Sequence, residues 1–335
     1  MRKYLKIKRA KALIDKFRGV KVLVIGDLIM DHFLWGKVRR ISPEAPVPVV
    51  EVARENLMLG GSANVANNIR SLGGSVFITG VIGRDDDGKK FVSTLREKGI
   101  KADGIAVDPK RPTTTKTRII AHSQQVVRFD REKKDEIGRA VSKKVVDYMK
   151  RAARSVDIVI VSDYAKGLIT RPLVEEVMAE FKKLKKPVVV DPKVEHLDYY
   201  RGATVVTPNN LEASVASGVE IEDDKTLKRA GEALLETLDS KALLITRGEH
   251  GMSLFERGHD THIPTVAKEV FDVSGAGDTV VGVLAMSLAA GANFKEAAVL
   301  ANFAAGVVVG KIGTATVTRA ELAEAAARGL KAWPA

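Results

Sequence analysis

The chain has 335 residues, 45% hydrophobic and 29% charged, with no cysteine; that is enough for one large α/β domain or two smaller ones. Such a composition points to a folded globular protein and excludes disulfides, thiolate catalysis and Cys-based zinc centres. Net charge is +12, but residues 1–21 hold nine basic residues against Asp15 alone, so the remaining body is only mildly basic.

The basic N-terminal segment reads as a helix with Leu13, Ile14 and Phe17 packed inward. A solvated face is preferred there over contact with nucleic acid or an anionic surface. No apolar h-region or cleavage site follows it. The most apolar run, Val280 to Ala290, is too short for a bilayer, which needs about 20 residues. A cytoplasmic protein without a membrane partner is expected.

Val20 to Gly26 is a continuous apolar run, the pattern of a parallel strand buried on both faces. It ends at Gly26-Asp27, with Asp31 four residues on, where open α/β sheets bind ligands. A dinucleotide-type G-x-G-x-x-G is absent. Residues 32–59, with Pro43, Pro46 and Pro48 among alternating valines, predict extended structure with edge prolines. A second extended stretch runs from Thr113 to Asp130. With lid segments at about 32–59 and 105–130, the two should pair into a small sheet, covering a site or joining two subunits. Gly60-Gly61-Ser62-Ala63-Asn64 enters a helix from Val65 to Leu72, capped by Ser62 or opened for a ligand by the glycine pair.

Strands are predicted at 76–82, 158–161, 188–190, 203–206 and 243–245, and helices at 88–98, 136–153 and 171–185. Their rims are polar: Ser162 to Gly167, Asp191-Pro192-Lys193, Thr207 to Glu212, and Thr246 to Gly251. The alternation predicts a doubly wound, mainly parallel α/β sheet flanked by helices. A hairpin follows around Gly258, then helices at 294–309 and 319–330.

Between them lies Phe271 to Val280, a glycine-rich turn before an apolar helix. Gly275, Ala276 and Gly277 can turn backbone N–H groups toward an anion at a helix N-terminus. Asp278, in the same first turn, could accept a hydroxyl proton. An anion cradle beside a base suggests phosphoryl transfer to an alcohol. Alone, the stretch fits an ordinary loop-to-helix start equally well.

With Gly60 to Asn64, Thr207 to Glu212 and Asp272 to Asp278 in this order, the chain resembles the ribokinase-like (PfkB-type) sugar kinases from about Val20 to the last helix. Arg40 to Val49, Ser162 to Gly167 and Gly306 to Lys311 resemble the D-glycero-β-D-manno-heptose 7-phosphate kinases in particular. The resemblance implies a ribokinase-like kinase domain with a β-sheet lid that often joins two subunits. It implies ATP- and Mg²⁺-dependent phosphorylation of the anomeric hydroxyl. Bifunctional relatives add a nucleotidyltransferase domain; His259-Asp260-Thr261-His262 is not that domain's H-x-G-H, so residues 1–335 are expected to be kinase only.

Carried onto these residues, the resemblance makes Asp278 the base and Gly275, Ala276 and Gly277 the anion hole. Asn209, Asn210, Leu211 and Glu212 fall on the nucleotide phosphate and Mg²⁺ side. Thr246, Gly248 and Gly251 fall in the nucleotide loop, and Asn302 at the adenine end. Asp272 and Ser274 match a monovalent-cation (K⁺) loop, and Asp31, Gly60, Gly61 and Asn64 the sugar side. By position, Lys116, Arg118 and Arg128 on the lid are candidates for the substrate's own phosphate, and Lys166 and Lys193 for the nucleotide. The competing expectations are a ribokinase-like kinase for another sugar, sugar phosphate or nucleoside, and a non-catalytic sugar- or nucleotide-binding regulator.

Overall fold

The computed structural model describes residues 1–122, 124–267 and 269–332. Ser123, inside the second expected lid segment, and residues 333–335 of the expected kinase domain lie outside the described residues. The first half runs α1 (Ile7–Lys16), β1 (Lys21–Gly26), β2 (Leu28–Ile41), β3 (Pro48–Gly61), α2 (Ser62–Ser71), β4 (Ser75–Gly83), α3 (Asp86–Glu97), β5 (Ile105–Asp108), β6 (Thr115–Ala121), β7 (Gln124–Arg131) and α4 (Arg139–Ala153). The second runs β8 (Ile158–Ser162), α5 (Arg171–Lys183), β9 (Val188–Asp191), β10 (Val205–Val206), α6 (Asn210–Ser217), α7 (Asp224–Leu238), β11 (Ala242–Thr246), β12 (Met252–Glu256), β13 (His259–Ile263), α8 (Ala276–Ala289), α9 (Phe294–Val308) and α10 (Arg319–Ala332).

Nine strands form the main sheet in the order β13-β12-β11-β10-β9-β8-β1-β4-β5. All neighbours are parallel except the pairs made by β12 and β13. Alternation along each central strand feeds two cores. Val22 and Val24 of β1 pack with α2, α8 and α9, while Leu23 and Ile25 pack with α4 and α5. Burial on both faces is why these strands read as unbroken apolar runs. The chain builds β4 and β5 on one side of β1, then crosses to β8 on the other. That reversal opens a crevice at the carboxyl ends of β1 and β8, beside Asp27 and Ser162.

The lid is a four-stranded sheet in the order β3-β2-β6-β7. Its first strand starts one residue after β1 ends, so Asp27 alone separates the two sheets. Two expected boundaries change. Gly60 and Gly61 end the strand β3 instead of opening the helix, and Ser62 caps nothing. Its hydroxyl, inside the first turn of α2, donates to the Asp27 carbonyl at 2.9 Å. The second lid segment starts near 115, not 105, because Ile105–Asp108 pairs in parallel with β4 and belongs to the main sheet. The backbone of residues 80–83 is there to satisfy it, whereas β6 finds its partners in β2 and β7.

Among the described residues, no helix is long and apolar enough to cross a membrane.

Candidate active site

α8 begins with Gly275 at φ 77°, the left-handed region that glycine adopts without strain. No side chain caps its first turn, in contrast to α5, α6, α7 and α9. The Ala276 amide bonds to the Val273 carbonyl at 3.2 Å. Among the described residues the amides of Gly277 and Asp278 have no backbone acceptor, and they stand at the positive end of the helix dipole. A Cβ at Gly277 would meet nothing within 4 Å, so the turn is open to a ligand on that side.

Asp278 is buried, 4% exposed. Asn64 of α2 donates to its Oδ2 at 2.7 Å, and the Tyr164 hydroxyl donates to its Oδ1 at 2.5 Å. Burial pushes its pKa up, the two donors pull it back, and the balance stands at about 6. The group is therefore mainly ionised at neutral pH, and it is a stronger base than an exposed aspartate.

On the lid side, Asp31 is 5% exposed and accepts from Arg118 Nη1 at 2.5 Å. Gly60 makes this approach possible, since a Cβ there would lie 2.1 Å from Asp31 Oδ2. Gly61 sits directly before α2. The strand register sets Asp31, Lys116 and Asp130 side by side, with Phe33, Arg118 and Arg128 in the next row of the same face. Arg128 pairs with Asp130 at 3.0 Å. Among the described residues Lys116 has no ion-pair partner within 4 Å. Burial and then the neighbouring Lys166 lower its pKa.

On the opposite side a cleft is lined by Tyr164, Asp191, Lys193, Asn209, Glu212 and Thr246, with Gly277 at its edge. Asn209 and Glu212 close a capping box on α6, and Glu212 also pairs with Lys193. Burial works to lower the Lys193 pKa, but that bond together with the charges of Glu212, Asp191 and Asp163 leaves it raised. Asn210 offers a buried amide oxygen without a partner. Gly248 and Gly251 bracket the tight turn that follows Thr246. Among the described residues no three His, Asp or Glu side chains form a closed metal cage. Asp191 is nonetheless held well above the usual carboxylate range by burial and by Asp278 and Glu212. That crowding of carboxylates suits a divalent cation shared with substrate phosphates and water. Asp272 is different. Its oxygens accept the Ser274 amide at 2.8 Å and the Gly313 amide at 3.0 Å, and these bonds outweigh burial to lower its pKa.

Three expected placements do not hold. Lys166 lies away from the nucleotide rim: its ammonium pairs with Glu132 at 2.8 Å, beside Lys116 at the foot of the lid. Leu211 turns outward, 73% exposed. Asn302 is 3% exposed, and its amide donates to the Pro264 carbonyl at 2.8 Å, so it holds a loop instead of facing the cleft. Asp27 is likewise a structural group. It accepts the amides of Tyr164, Lys166 and Leu168 at 2.9, 3.2 and 3.2 Å, and burial still pushes its pKa to about 6. Tyr164 was not singled out from the sequence, although its place at a polar strand end was the available signal.

A model of the pfkB family carbohydrate kinases matches residues 20–321. The bifunctional protein HldE of Geobacter sulfurreducens is 52% identical over 316 residues, covering 94% of this chain and 64% of that protein. This chain thus spans just under two thirds of that relative's length. The ribokinase of Arabidopsis thaliana, solved with ribose and ATP, has a TM-score of 0.72 at 20% identity, over 92% of this chain and 98% of that one. The phosphofructokinase-2 of Escherichia coli, solved with potassium, reaches 0.76 at 16% identity, over 93% and 99%. Those two structures share the fold. The family match over residues 20–321, in keeping with the 52% identity to that relative, places the chain in the pfkB family of carbohydrate kinases.

Proposed function

We propose that this carbohydrate kinase transfers the γ-phosphoryl group of ATP to the anomeric hydroxyl of D-glycero-β-D-manno-heptose 7-phosphate. The product would be the 1,7-bisphosphate used in ADP-heptose and lipopolysaccharide core synthesis. One observation carries the chemistry: the buried Asp278, held by Asn64 and within the field of Asp31, sits in the first turn of α8 beside Gly277, which is open to a ligand. The heptose identity rests on the resemblance of the strings at 40–49, 162–167 and 306–311, together with the similarity to the bifunctional protein.

In this reading Asp31, Gly60, Gly61 and Asn64 hold the sugar. Asp278 accepts the proton of its hydroxyl as that oxygen bonds to phosphorus. The amides of the 275–277 turn bind charge on the transferring group, and the bridging oxygen leaves with ADP. Asn209, Asn210, Glu212, Lys193, Thr246, Gly248 and Gly251 border the nucleotide. Mg²⁺, when bound with the phosphates on the Glu212 side, supplies charge neutralisation. A K⁺ ion would be held by Asp272 and Ser274, since each Asp272 oxygen keeps a lone pair beyond the amide it accepts. The domain is read as a single kinase unit, cytoplasmic, with no nucleic-acid partner. Its lid joins two copies through the outer face, where Val127 and Phe129 are 46% and 51% exposed. Light scattering tests that contact: a Phe129→Asp variant should be monomeric, and an unchanged mass would remove the lid dimer.

For the substrate's own phosphate, Lys116 is the favoured cation, because Arg118, Arg128 and Lys166 are each held by a carboxylate. Lys116→Ala should lower kcat/KM by about 10- to 100-fold on a phosphorylated sugar. On the same sugar without phosphate the loss should be smaller, limited to the help Lys116 gives in keeping Asp278 ionised. An ADP-release assay over a panel of sugars and sugar phosphates measures both. Equal losses on the two forms would remove the phosphate assignment, and best turnover on another sugar or a nucleoside would replace the heptose reading.

A further inference from the structure

The segment 162–168 is pinned far more tightly than a strand-to-helix turn requires. Asp27 collects three of its amides. Asp163, 1% exposed, accepts the Ala165 amide at 2.8 Å and is itself held by the Tyr200 hydroxyl at 2.6 Å and His196 Nδ1 at 2.8 Å. Arg111 Nη1 donates to the Lys166 carbonyl at 2.9 Å. Ala165 sits at φ 52°, a left-handed conformation that is strained for an alanine. Backbone strain held by surrounding bonds is common where a side chain must be aimed. The side chain aimed here is Tyr164, whose hydroxyl ends 2.5 Å from Asp278 Oδ1.

We propose that Tyr164 is a positioning residue for phosphoryl transfer: its hydroxyl fixes the Asp278 carboxylate in its ionised form and turns the free lone pair of that carboxylate toward the acceptor hydroxyl. The proposal rests on Asp278 being the base. Tyr164 stays protonated throughout; burial, then the charges of Asp278 and Asp191, push its phenol pKa well up. In the step, the acceptor O–H breaks and its proton moves to Asp278 while the sugar oxygen bonds to phosphorus. The bond from phosphorus to the bridging oxygen breaks, and ADP takes the electron pair. The groups facing Asp278 are Tyr164 from the loop after β8, Asn64 from α2, Asp31 from β2, Lys116 from β6 and Asp191 from β9. Burial and Asp31 favour the protonated acid, whereas Tyr164, Asn64 and Lys116 favour the carboxylate. Burial is the largest of these influences, and Tyr164 is the largest of those that oppose it.

The test is the pH profile of kcat from pH 5 to 10, with ATP and the best acceptor of the sugar panel. The full chain is compared with Tyr164→Phe and with a protein carrying 3-fluorotyrosine at this one position. The unmodified chain should lose activity below about pH 6. Tyr164→Phe should move that limb up by about one pH unit, giving up to roughly tenfold loss at pH 6 and recovery to within about threefold at pH 9. Fluorine acidifies the phenol and strengthens its donation, so 3-fluorotyrosine should move the limb the other way. Opposite shifts support the proposal. A loss independent of pH, or two shifts of the same sign, overturns it. If Tyr164→Phe does not fold, the fluorinated protein decides alone, since a limb that stays in place or rises also overturns the idea. An active Asp278→Asn variant would instead remove the base reading on which the proposal stands.

Discussion

Asp278→Asn will lower kcat by about 10²- to 10⁴-fold while the affinities for ATP and sugar stay within a few-fold. The amide keeps the volume and one acceptor for Tyr164 or Asn64, but it has no lone pair basic enough to take the hydroxyl proton. Stability should move in the opposite direction. In the folded chain the Asp278 pKa stands at about 6, above the 3.8 of an unperturbed carboxyl. Its contribution to stability is therefore fully present below pH 3.8 and is lost as the pH rises through 6. At pH 7 the ionised, buried carboxylate costs on the order of 3 kcal/mol, which asparagine avoids. The urea midpoint of the variant should not fall, and its decline between pH 4 and 6 should be shallower than in the native chain. Near-native turnover, or a marked loss of stability with loss of activity, would mean that the carboxylate is structural.

Gly275→Ala should be the most damaging change that leaves every functional side chain in place. Alanine at φ 77° costs about 1–2 kcal/mol. Its Cβ would lie 2.5 Å from Asn64 Nδ2 and 3.6 Å from Asp278 Oδ2. Relieving that contact takes Asn64 off the carboxylate and tilts the first turn of α8. A displacement of about 1 Å at a reacting group is worth about 10²-fold in kcat, so a loss of that order is expected. Gly277→Ala is the control. Its Cβ meets nothing within 4 Å, so folding should be unaffected. The added methyl projects where Gly277 borders the nucleotide-side cleft, and KM for ATP should rise instead. Equal kinetic effects from both changes would argue against a distinct role for the 275 position.

The parts legible in the sequence share a physical origin. Val22 to Ile25 read as a strand because both faces are buried; of the expected edge prolines, Pro48 opens the edge strand β3, while Pro43 and Pro46 lie in the connection before it. The turn at Gly275 to Asp278 was visible as glycine before an apolar helix. What stayed hidden was direction. Lys166 and Tyr164 are two residues apart on one loop, yet one ammonium goes to Glu132 and the other side chain to Asp278. Only the bonds from Asp27 and the left-handed Ala165 decide that. Asn302 was legible as a polar residue in a helix, but its burial depends on how the Pro264 loop packs. The α7 pattern of Leu227, Ala230, Leu234, Leu235 and Leu238 was readable and was passed over. The lid boundary failed at residues 105–108 because a four-residue strand looks the same whichever sheet it joins.

The single residue between β1 and β2 bears on how the enzyme moves. Asp27 is locked by three amides, and its carbonyl also accepts the Ser62 amide and hydroxyl. This junction therefore cannot act as a loose joint that swings a flap. The long strand β2 of the lid continues β1 of the main sheet with one residue between them. A displacement of the lid would be taken up as torsion along β2 and β3, where the ladder is offset near Trp35 and Val38. The outer half of the lid should then travel further than Asp31 and Gly60 at its root.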